Sequence, residues 1–230
     1  MKPDQFVRDV TNPSAWRQQS SIMRLSAEAL WDQFELSLVK SCLNRVLDDT
    51  VFQVALSYMR TSVLLYGLVL EKALKAEIVE GNPDNIELKF QRDGEGRLMR
   101  VHIKNLGVAN GHDLVALAEK AGIFGEKFAN ILVDERGAFA VREICKHLTE
   151  IVVWQGRYPV PMSSREPVRF DRSLPLVLQN HYIRDVLDPM LDSLKISPQS
   201  KVLSLLRISV NVPTRSGLSR PLAHEMVLRG

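Results

Sequence analysis

Cysteine is almost absent, with Cys42 and Cys145 the only two in 230 residues. Both fall inside helical patterns far apart in the chain, so they read as small buried residues, and no disulfide is expected. Long apolar runs are also missing. The longest, Thr61 to Leu70, is interrupted by Gly67 and followed by Glu71 and Lys72, well short of the roughly 20 residues that cross a bilayer. The beginning, MKPDQFVRDV, carries acids and no apolar core segment, so no signal peptide is expected and a cytoplasmic home follows. There is no Gly-rich phosphate loop, no persuasive Ser/His/Asp order and no Cys/His zinc spacing. His102 and His112 lack a third ligand, so neither a metal nor a cofactor is expected.

What is there is an ordinary globular composition, 45% hydrophobic and 25% charged, enough for one good core plus an extension. Residues 1–20, with Pro3 and Pro13, read as an irregular lead-in. From Ser20 or Ser21 to about Asn44, Ile22, Leu25, Ala29, Leu30, Phe34, Leu38 and Cys42 recur at three- and four-residue spacing and predict a helix. The pattern from Val51 to about Glu80 is stronger still, a wide stripe that predicts a second helix with neighbours on more than one side, stopped by Gly81, Asn82 and Pro83. Ile86, Leu88 and Phe90, then Val101 and Ile103, alternate around Asp93-Gly94-Glu95-Gly96, a β-hairpin at about 86–104. Asn110 can cap a short helix from Leu114 to Ala121, with Asp113 suited to its first turn and Gly122 closing it. Phe124, Phe128, Ile131 and Leu132 make a further helical stretch. A helix follows from about Asp134, ended by Gly156. Pro159, Pro161, Pro167 and Pro175 mark a linker-like exit. Leu176 to Leu194 is helical again with a kink or a break expected at Pro189, and Val202 to Val210 fits helix or strand.

The fold class is therefore mainly α, a helical bundle over residues 21–161 with an inserted hairpin, and a proline-containing C-terminal extension over 162–230. Charge is unevenly placed. Residues 157–230 hold eleven Lys/Arg against six Asp/Glu, and from Lys195 onward six basic residues face the single acid Glu225. Such a tail either touches nucleic acid or an acidic partner, or is simply solvated.

Three groups of residues carry a resemblance: Leu70-Glu71-Lys72-Ala73-Leu74-Lys75-Ala76 late in the second helix, Gly111-His112-Asp113-Leu114-x-x-Leu117, and Arg142 followed five positions on by His147. With the ending Trp154-x-Gly156-Arg157-Tyr158-Pro159, they resemble the HEPN family of α-helical bundles over about residues 20–161. The resemblance implies a homodimer that binds RNA or a nucleotide. In active members an Arg and a His act as a metal-independent endoribonuclease in toxin–antitoxin or anti-phage systems, and other members partner an antitoxin or a nucleotidyltransferase. Carried onto this chain, the catalytic pair is Arg142 and His147, a guanidinium to hold the scissile phosphate and an imidazole to move a proton. Here the residue after the Arg is Glu143, a departure from the small polar residue or His usual there. Five residues at 100° place Arg142 and His147 about 140° apart on a regular helix, so they share no face of it.

His112 and Asp113 read either as helix-cap residues or as contacts to the nucleotide or RNA. Arg157 either locks the helix end against an acid or faces phosphate. Glu71 and Lys72 read as ordinary helix charges, with Lys75 or Arg157 as a partner for Glu71. Two functional readings stay open: an RNA- or nucleotide-binding protein, active or not as a ribonuclease, and a non-catalytic helical interaction module in which the hairpin and basic tail bind a partner.

Overall fold

The computed structural model describes residues 3–44, 49–82, 86–106, 108, 110–129, 135–155 and 182–196. It is mainly helical with one two-stranded antiparallel sheet. The chain divides into two compact units, Met1–Pro198 and Gln199–Gly230, and the second lies outside the described residues.

Residues 3–20 are helical apart from the turn at Thr11 and Asn12, not irregular. Helix α1 spans Pro3–Val10 and α2 spans Pro13–Asn44. The two prolines that read as breakers sit at the first position of each helix. There the missing N–H costs nothing and the fixed φ suits the helix. Asn12 Oδ1 accepts from Ser14 N at 3.0 Å and caps the second start.

Helix α3 (Asp49–Gly81) runs back along α2. Two buried serines fix the register: Ser20 Oγ donates to Val69 O at 2.7 Å and Ser62 Oγ to Ala27 O at 2.6 Å. Ala27, Trp31, Val63, Tyr66, Leu70 and Leu74 of these two helices belong to the core. The wide stripe of α3 has the several neighbours expected of it, because α4 and α5 also pack on it.

Strands β1 (Glu87–Arg92) and β2 (Leu98–Asn105) form the expected hairpin. Asp93 Oδ1 accepts from the backbone N–H of Glu95 and Arg97, and Gly96 turns the chain at φ +79°. A lone hairpin is marginal in water. Its apolar edge is covered, since Ile86 and Leu106 join Val10 of α1 and Val79 of α3, with Phe6, Trp16, Leu88 and Ile103 packed around them.

Helix α4 (Leu114–Lys120) is capped by Asp113, not by Asn110. Asp113 Oδ1 accepts from Val115 N and Ala116 N at 3.0 Å each, while Asn110 Oδ1 accepts from His112 N and shapes the preceding turn. A short 3-10 turn, Glu126–Phe128, stands where a longer helical stretch is predicted; Ile131 and Leu132 lie outside the described residues. Helix α5 (Glu135–Glu150) then widens into a π-type turn over Ile151–Gln155.

Tyr182–Leu187 forms another π-type turn, and α6 (Asp188–Ser193) follows with Pro189 in its first turn. The break predicted at Pro189 is thus a change of helix type. These residues are no loose appendage, since Ile183, Leu187, Met190, Leu191, Leu194 and Ile196 all enter the main core. The boundary expected near residue 161 therefore does not separate body from extension for residues 182–196. The stretches 162–181 and 202–210 lie outside the described residues.

Candidate functional site

The Lys72–Ala76 segment of α3 carries a run of charges on a largely buried stretch of helix. Such a stretch tolerates charge only where partners are supplied. Glu71 is 9% exposed in its side chain and has two of them: Lys75 Nζ at 2.5 Å from Oε1 and His112 Nδ1 at 2.9 Å from Oε2. Burial alone would raise the Glu71 carboxyl. Lys75 and then His112 outweigh it and hold the group below the usual carboxylate range.

An ionised Glu71 can only accept, so His112 donates to it from Nδ1, and in the neutral ring the lone pair is on Nε2. The imidazole side chain is 46% exposed, and Nε2 has no partner among the described residues. His112 is therefore anchored on its inner nitrogen and open on its outer one.

The loop that presents His112 is held at several points. Asn110 bonds its backbone N–H, Asp113 caps the helix behind it, and Thr149 Oγ1 of α5 accepts from Leu114 N at 3.0 Å while donating to Cys145 O. A Cβ on Gly111 would stand 3.9 Å from Lys75 Nζ, so the turn lies directly against this lysine.

Lys72 completes the group. Its ammonium and that of Lys75 each lie 5.9 Å from the centroid of the Trp16 ring, within cation–π range. Trp16 is held in turn by its Nε1 donating to Val10 O at 2.8 Å. Lys72 is half-buried and makes no ion pair among the described residues. Burial pushes its ammonium down from the ordinary value, Glu71 opposes that shift, and Lys75 adds to it.

Arg142 and His147 occupy separate environments. Helix α5 is regular through both positions, and the π-type turn begins only at Ile151. Arg142 pairs with Glu119 of α4 at 2.5 Å and lies 3.9 Å over the Phe124 ring. His147 Nε2 is buried without a hydrogen-bond partner, and burial lowers its pKa. No hydrogen bond joins the two among the described residues, so a single chain does not assemble them into one site.

Asp113 spends its carboxylate on the helix cap. Arg157 lies outside the described residues, and Glu71 takes Lys75 as its partner. Cys145 is buried, its thiol pushed up to about 12 by burial and then by Asp113, so it packs as a small apolar residue. His102 sits on β2 opposite Lys89, exposed and apart from this group.

Sequence reading found His112 but not its companions. Glu71 and His112 are separated by 41 positions, and nothing local in either segment announces the pairing. The one available signal is the Glu71/Lys75 spacing, which puts both on one helix face. That Glu71 joins this histidine to Lys75, and that Trp16 lies beside Lys72 and Lys75, follows only from the packing of α2 and the 110–113 turn on α3. No protein-family model, curated protein or solved structure matches the chain, so its activity is read from this cluster and its surroundings.

Proposed function

We propose that this protein is an HEPN-like helical protein that binds RNA or a nucleotide by a phosphate held at Lys72, Lys75 and His112. The observation that carries the reading is the charge balance of the cluster. Lys75 already pairs with Glu71, so Lys72 is left as a half-buried cation with no ion pair of its own among the described residues. A sheltered, unmatched ammonium costs stability. A phosphate supplies the missing charge and accepts hydrogen bonds from Lys72, and from His112 Nε2 when the ring is protonated. The ordered Trp16 ring beside both lysines gives the site an apolar wall.

On this reading the Arg142–His147 pair is not the binding centre of one chain. Using it would require a second subunit, release of Arg142 from Glu119 and Phe124, and exposure of the His147 ring.

Fluorescence anisotropy with a labelled single-stranded RNA in EDTA tests the site. Lys72→Gln is expected to weaken binding roughly tenfold and to lower the salt slope by about one charge. Unchanged binding in Lys72→Gln, with loss in Arg142→Ala, would move the site to α5.

A second reading, a non-catalytic module for a protein partner such as an antitoxin, a nucleotidyltransferase or another copy of this chain, has its own support. Leu36 and Val39 late in α2, and Val51, Phe52 and Val54 early in α3, are exposed. Apolar side chains grouped like this mark protein contacts. That reading gains if wild-type protein binds no RNA while Phe52→Glu changes its sedimentation.

A further inference from the structure

We infer that the outer face of the β1–β2 hairpin docks in the major groove of B-form DNA. This surface shares no residue with the Lys72, Lys75 and His112 group, and the inference does not rest on the RNA-binding reading.

Strand alternation and the observed register sort the hairpin side chains onto two faces. Leu88 and Phe90 lie opposite Ile103 and Val101 on the inner face, where Leu88 and Ile103 pack on the Val10–Val79 cluster. The outer face carries Glu87, Lys89 and Gln91 of β1 and Arg100, His102 and Lys104 of β2, all exposed. Glu87 is the acid of this set, and Lys104 takes it at 2.5 Å. The side chains of Lys89, Gln91, Arg100 and His102 make no hydrogen bond or ion pair among the described residues. Lys89 stands across from His102 and Gln91 across from Arg100, so Lys89 and Arg100 are diagonal neighbours. The acids of the turn do not offset them, because Arg97 holds Asp93 at 2.8 Å and Glu95 at 3.0 Å. A solvated strand pair is stabilised by opposite charges facing each other. This one sets two cations side by side with no free acid, an arrangement that a polyanion relieves.

The chemistry of the face selects among polyanions. Single strands bind on aromatic platforms, and the outer face has none, since Phe90 belongs to the inner one. A lipid surface calls for apolar side chains among the cations, and the six residues include none. An added peptide strand would pair with an edge, which Lys89 and the register shifts near both ends of β1 oppose. The major groove of A-form RNA is too narrow and deep for side chains to read. That of B-DNA, about 12 Å wide and 8.5 Å deep, admits a two-stranded ribbon. Arg100 and Gln91, cross-strand partners here, are side-chain types that grip a guanine and an adenine edge with paired hydrogen bonds. Lys89 beside them supplies a phosphate contact.

The test is fluorescence anisotropy of the full chain with a labelled, random-sequence DNA duplex, compared with the same sequence as single-stranded DNA and as an RNA duplex. Wild type is expected to bind the DNA duplex at least about tenfold more tightly than either. Lys89→Gln combined with Arg100→Gln should weaken that binding roughly tenfold or more and lower the salt slope by about two charges. Lys146→Gln, which removes an exposed cation of α5 already paired with Glu143, should leave it unchanged. A duplex methylated at guanine N7, an acceptor of the major groove, should bind wild type more weakly, a readout that needs no variant to fold. Absence of duplex binding, equal binding of all three nucleic acids, binding unaffected by the double substitution, or indifference to N7 methylation would each overturn the inference.

Discussion

Tyr66 is fully buried among core side chains, and its hydroxyl has no hydrogen-bond partner among the described residues. Burial, with Asp188 next, pushes the phenol far up, so it stays neutral. An unsatisfied buried hydroxyl costs about 1–3 kcal/mol. Tyr66→Phe is therefore expected to raise the Tm, and a lower Tm in thermal melts would mean the hydroxyl has a role. Lys72 poses the same question with a charge. Because the fold lowers its pKa, the folded state holds this proton less well than the unfolded chain does, so the ammonium opposes folding at neutral pH. Lys72→Met should match or exceed the wild-type Tm while losing RNA affinity; a clear drop in Tm would assign it a structural role. Acid acts through His147 and Glu71, both held below their ordinary values of 6.5 and 4.5. For a depressed group the stabilisation is complete above the unfolded value and fades as pH falls toward the folded one. The Tm should therefore begin to fall below about pH 6.5 through His147 and fall further below about 4.5 through Glu71. His147→Phe should remove the first step only, which melts across that range would show.

Glycine inside a long helix ordinarily weakens it by about 1 kcal/mol relative to alanine, yet Gly67 lies in the middle of α3. A Cβ there would meet Val152 Cγ2 at 2.5 Å and the Leu148 carbonyl oxygen at 3.5 Å, so α5 and the turn after it approach α3 too closely for any side chain. Val152 is buried and branched at Cβ, with no room to yield. Overpacking of about 1–3 kcal/mol then outweighs the propensity gain, and Gly67→Ala should lower the Tm where an exposed glycine would raise it. Helix α6 is attached differently. Arg24 of α2, 4% exposed, reaches Glu28 at 2.8 Å, Asp188 at 3.1 Å, Asp192 at 2.5 Å and the Ile196 carbonyl oxygen. Removing it leaves the sheltered Glu28 carboxylate without its ion pair and the Ile196 carbonyl without its donor, so Arg24→Ala should cost about 1–3 kcal/mol, measured by urea unfolding. The longer helices were legible from three- and four-residue spacing, as were the hairpin and its turn, while α1 and the start of α2 were not. Proline misled because its effect depends on position. Pro3, Pro13 and Pro189 all lie in the first turn of a helix, and composition alone does not tell a start from a break.

Within the Met1–Pro198 unit, residues far apart in sequence meet. Core side chains of α2 and α3 pack with Leu187, Leu191 and Leu194, and Arg24 ties α2 to residues 188–196. Such long-range pairing leaves no local trace, which is why residues 182–196 read as an extension and why the companions of His112 went unseen. The regular geometry of α5 was legible, and with it the separation of Arg142 from His147. The central claim is that the ligand phosphate sits at His112. The chain has five histidines, and three of them, His102, His112 and His147, mark the hairpin, the α3 cluster and α5. Imidazole 15N resonances followed during titration with uridine 3′-monophosphate report all three places at once. The account predicts a saturable shift at His112 Nε2, abolished by Lys72→Gln, with His102 and His147 unmoved. A saturable shift at His147 or His102 with His112 unchanged would contradict it.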